Sequence, residues 1–174
     1  MKRQKEVDMQ PWSNRVVEEA NLFNPAFCGV LIAQMSDDYA KKAHHPMPFP
    51  LAFLSLPIVL HRATRQALPG STVTSLLPWI QDHREQLVDF PTRVQRLRDV
   101  TREAVLFAAQ HEFLAVDAGG GLSSGSKRKT ATERRTELFT AEARECVDRA
   151  GFLGRWFAAA GTTQTIFAAW GIAP

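Results

Sequence analysis

Between Phe139 and Ala160 the residues Phe139, Ala143, Cys146, Ala150, Leu153, Phe157 and Ala160 recur in alternating steps of four and three. That spacing returns each side chain to one face of an α-helix and fits no strand. It predicts one long helix, or two nearly continuous ones, from about residue 133 to 160. Gly151 and Gly154 interrupt the stripe, and a glycine costs a helix interior about 1 kcal/mol relative to alanine. Gly161 can end the helix. Thr162 or Thr163 can cap a final short one, with Ile166, Phe167 and Trp170 inward and Gly171 as its stop.

The rest of the chain also reads as helices. A short one is expected over 13–22, capped by Ser13, with Val16, Val17 and Ala20 buried. Asn24-Pro25 starts the next, because Asn caps well and Pro fits a first turn. Phe27, Leu31, Met35 and Tyr39, with Cys28 and Ile32 beside them, form its stripe. Three prolines in Ala43–Pro50 exclude a helix interior there. An apolar helix over 51–62, bent at Pro57, follows. Thr72 or Thr74 is then expected to cap a short helix interrupted by Pro78. The stretch Asp89–His111 carries Pro91 at its start and Val94, Leu97, Val100, Ala104 and Phe107 at helical spacing. Phe113–Val116, the glycines 119–121 and Leu122–Ser123 then suggest a β-hairpin.

The expected fold is therefore mainly α: a helical domain with a small β-hairpin, closed by C-terminal helices over about 133–170. A hairpin directly after a long helix fits a winged-helix-like unit over about 51–124, and equally an irregular helical domain with an incidental hairpin. Residues 1–11 read as a tail and 12–174 as one domain, a length that can bury a core without metals or disulfides.

Several function classes fail on spacing. The N-terminal MKRQKEVDMQPW lacks the apolar stretch of a signal peptide, and the apolar run Leu51–Leu60 is too short to span a bilayer. A cytoplasmic protein without a membrane segment is expected. Cys28 and Cys146 form no CxxC pair, and His44, His45, His61, His83 and His111 show no metal-ligand spacing. Gly120–Lys127 resembles a phosphate loop, but Ser126 separates the last glycine from the lysine. No serine sits in a nucleophile elbow. The adjacent carboxylates Glu18-Glu19 and Asp37-Asp38 diverge by about 100° on a helix. The expectation is a protein with no catalytic residues, no cofactor and no metal; it is not an enzyme.

Three segments carry the candidate contacts. Lys127, Arg128 and Lys129, with Arg134 and Arg135, form a basic stretch beside the expected hairpin. It reads either as a solvated loop or as a contact with DNA or an acidic partner, although the formal net charge of the chain is only +3. His61, Arg62 and Arg65 sit at the end of the apolar helix, where cations favour the helix C-terminus or meet a partner. Arg155, Trp156 and Phe157, in Leu153-Gly-Arg-Trp-Phe, serve either the core or an interface, since Trp and Arg are enriched at binding hot spots.

The blocks NLFNPAFCGVLI, PFPLAFLSLPIVLHRATRQALP, TSLLPWI, TREAVLFAA and LGRWFAAAGTTQTIFAAWGIAP span about Trp12 to Pro174. In that order they resemble the middle components of three-component ABC-ATPase systems, related to the small subunit of Lamassu-type antiphage and anti-plasmid defence systems. The resemblance implies a hetero-oligomer with an SMC-like ABC ATPase and an effector, often a nuclease, and with DNA reached through the complex. It carries over no catalytic residue. The reading it supports is a non-catalytic adaptor; the alternative from the residues is a stand-alone winged-helix DNA-binding transcriptional regulator.

Overall fold

In the computed structural model, residues 23–127 and 140–173 are described. The expected helix over 13–22, and the start of the long helix over 133–139 with Phe139, lie outside them. The first described helix, α1 (Pro25–Ala43), begins as its cap chemistry requires: Asn24 Oδ1 accepts from the Ala26 N–H at 2.8 Å. It ends at His44, whose left-handed backbone directs its N–H to the Ala40 carbonyl at 2.8 Å. Cys28, Leu31, Ile32, Met35 and Tyr39 are buried along it, so the stripe read from sequence is the core-facing one.

A short strand β1 (Met47–Pro48) and a 3-10 turn (Phe49–Leu51) lead into α2 (Ala52–Val59). Apart from Phe53, every residue of α2 is buried. The helix ends before the expected residue 62. Pro57 has no N–H to offer the preceding turn, and His61 adopts extended backbone angles to start a separate helix, α3 (Arg62–Ala67). Helix α4 (Leu76–Asp82) follows, with Ser75 rather than Thr72 or Thr74 at its N-cap position. Pro78 falls in its first turn, where a missing N–H costs nothing, so it does not interrupt the helix. A 3-10 turn (Arg84–Leu87) then precedes the longest described helix, α5 (Phe90–Gln110).

The expected hairpin forms from β2 (Leu114–Val116) and β3 (Gly121–Ser124). Asp117 Oδ1 accepts from the N–H groups of Gly119 at 2.8 Å and Gly121 at 2.7 Å, and Gly120 supplies the positive φ the turn needs. Strand β1 pairs antiparallel with β3 through Met47–Leu122, giving the order β1-β3-β2. The sheet thus takes its third strand from just before residue 51. A further tie is Ser124 Oγ, which donates to Asp37 Oδ1 on α1 at 2.7 Å.

Helix α6 (Ala141–Ala158) starts at Thr140, whose hydroxyl accepts from the Ala143 N–H at 3.1 Å. Gly161 turns the chain with φ 101°, and Thr162 caps the last helix, α7 (Thr163–Ala169). The glycines of α6 explain themselves on α1. A Cβ at Gly154 would collide with the Met35 carbonyl oxygen, and one at Gly151 would come within 2.6 Å of Asp38 Oδ2. Gly29 of α1 likewise admits Ala104 and Ala108 of α5. Helix α1 is therefore the central rod, gripped by α6 on one side and α5 on another. The resulting architecture is mainly α, with seven α-helices and a small three-stranded antiparallel sheet among the described residues. No described helix is long and apolar enough to cross a membrane.

Candidate interaction surface

The carbonyls at the end of α2 set up the first charged cluster. A helix end leaves carbonyls without intrahelical donors, and here they are enclosed. Arg65, 1% exposed, reaches back from α3 and donates from Nη1 to the Val59 carbonyl at 2.9 Å. Its Nη2 donates to Glu142 Oε1 at 2.8 Å, and its Nε lies 3.2 Å from Glu145 Oε2. Arg93 of α5 donates to the Pro57 carbonyl and to Thr64 Oγ1, both at 3.2 Å. Of the cations expected at this helix end, Arg65 donates to its carbonyls; Arg93, which was not expected there, does so too.

Burial opposes the charge of Arg65. The hydrogen bond to Glu142 and the charge of Glu145 outweigh it, and the guanidinium pKa is raised. For Arg93, burial prevails and the pKa is lowered, although Asp89 acts the other way. His61 is held below the ordinary histidine value, first by burial and then by the charges of Arg93 and Arg65. A neutral ring suits its place at the start of α3. Nδ1 lies 3.3 Å from the Thr64 backbone nitrogen, whose N–H it accepts as the cap of that helix, and 2.8 Å from Thr64 Oγ1.

The second cluster is aromatic. Trp156 is 1% exposed and Phe157 0%. Trp156 packs edge-on to Trp79 with ring centres 5.3 Å apart, and its Nε1 donates to the Thr74 carbonyl at 2.6 Å. Trp170 completes the group against Phe90 at 4.6 Å. These contacts make Trp156 and Phe157, like Arg65, part of the interior. Their expected place on a partner surface is corrected accordingly: buried side chains with intrachain partners have no face left to offer. Of the six residues expected there, His61, Arg62 and Arg155 remain exposed. Arg155 pairs with Asp38 of α1.

The basic stretch is only partly described. Lys127 Nζ pairs with Glu112 Oε1 at 2.7 Å. Together with a hydrogen bond from Ser126, this holds the Glu112 carboxyl below its ordinary range. Arg128, Lys129, Arg134 and Arg135 lie outside the described residues. The two thiols are buried: desolvation, with Glu103 and Cys146 nearby, pushes Cys28 up to about 12, and desolvation raises Cys146 as well. Neither is a ready nucleophile in that state. Among the described residues, no group of three or more His, Cys, Asp or Glu side chains stands close enough to hold a metal ion.

One groove was not legible in the sequence. It runs along the outer face of α6, with a volume of about 520 Å³. Ala141, Arg144, Glu145, Asp148, Phe152 and Arg155 line it in helical succession, and Gly70 of the turn after α3 joins the lining. Arg149, also in the lining, donates to the Pro69 carbonyl at 3.0 Å and lies over the Phe152 ring at 5.7 Å. The charged positions of this face were legible as the gaps between apolar stripe residues, but the place of Gly70 beside them was not.

No curated protein and no solved structure matches the chain. Residues 12–174 match the family model of the ABC-three component (ABC-3C) system Middle Component 3, and the chain belongs to that family.

Proposed function

We propose that the protein is a non-catalytic adaptor that joins an SMC-like ABC ATPase to an effector, a nuclease, in a cytoplasmic defence complex related to the Lamassu type. The family match over 12–174 carries this reading, because a middle component has other components to meet. The roles of the described ionisable side chains support it. Arg65, Arg93 and His61 close helix ends, Arg155 ties α6 to α1, and both thiols are raised by burial. Co-expression with the ABC component and the effector of the same system, followed by affinity capture, should recover a ternary complex. Recovery of neither partner would refute the adaptor.

One observation favours a second reading, a DNA-binding regulator. The order helix, strand, helices, long helix, hairpin, with strands arranged β1-β3-β2, is that of a winged-helix unit. Arg96, Arg98 and Arg102 of α5 are also exposed. Asp99 sits 3.5 Å from both Arg98 and Arg102 and offsets part of that charge. Specific duplex binding by the isolated chain, lost on reversing these three arginines, would favour the regulator.

A further inference from the structure

We draw no further inference here: the strongest candidate, the run of exposed arginines on α5 (Arg96, Arg98 and Arg102), belongs to the DNA-binding reading already described.

Discussion

Helices α2 and α6 solve opposite problems. Helix α2 is apolar almost all round and enclosed, so its difficulty is polar: the carbonyls at its end need donors, and Arg65 and Arg93 bring them. Helix α6 is amphipathic. Its difficulty is steric, because one face must lie against the backbone of α1, and Gly154 removes the side chain that would collide there. Its other face is left to solvent and carries the groove. The enclosed helix therefore contributes stability and the half-exposed one contributes surface. Substitutions should separate accordingly.

The largest effect is expected at Arg65. Replacement by Ala removes the donor for the enclosed Val59 carbonyl and empties a fully buried site. Breaking a buried charged contact of this kind costs about 3 kcal/mol, which urea unfolding would register as a lowered midpoint. Glu142→Gln should cost far less, under about 1 kcal/mol, because that side chain is 64% exposed. Similar losses for the two would show that the ion pair, not the carbonyl contact, is what Arg65 supplies.

Next comes Gly154→Ala. A single added methyl meets the Met35 backbone, which cannot rotate away as a side chain could. Overpacking of this kind costs about 2 kcal/mol, although alanine is the better helix former by about 1 kcal/mol. A stabilised variant in the same unfolding experiment would refute the close approach of α1 and α6.

The aromatic cluster allows a finer comparison. Trp156 Nε1 donates to the Thr74 carbonyl, whereas Trp170 Nε1 is buried without an acceptor among the described residues. Trp→Phe at either position loses similar volume, so the difference between them isolates the hydrogen bond. Trp156→Phe is expected to be the more costly by about 1 kcal/mol, read from paired unfolding curves.

The sequence made the helices legible because their signals are local. Asn24, Thr140 and Thr162 cap where cap residues should, and the stripe on α1 buries as its spacing predicts. The hairpin followed from its glycines. Long-range pairing was hidden. Nothing local tells that Arg65 meets Glu142 and Glu145, 77 and more positions away, or that the turn at Gly70 faces α6. For the same reason the sequence left two readings open for the Arg65 and Trp156 side chains, one within the fold and one on a partner surface. An arginine or tryptophan beside apolar residues has the same local pattern whether its polar atoms find water, a partner or a distant carbonyl.

The smallest predicted effect concerns His61, at the junction where α2 stops and α3 begins. Its folded pKa is lowered, first by burial and then by Arg93 and Arg65. The folded state therefore favours the neutral ring, and the unfolded chain binds the proton more readily. Stability from this residue is fully present above the unfolded value of about 6.5. It is lost as the pH falls from there through the lowered folded value. Protonation also converts the cap acceptor at Nδ1 into a donor facing the Thr64 N–H. His61→Asn keeps an acceptor suited to a helix cap but cannot titrate. Between pH 7 and pH 5 the wild-type melting temperature should fall more than that of His61→Asn, by on the order of 1 °C. Parallel pH profiles would mean that the break between α2 and α3 depends on Pro57 and the two arginines alone, with the histidine a bystander at their junction.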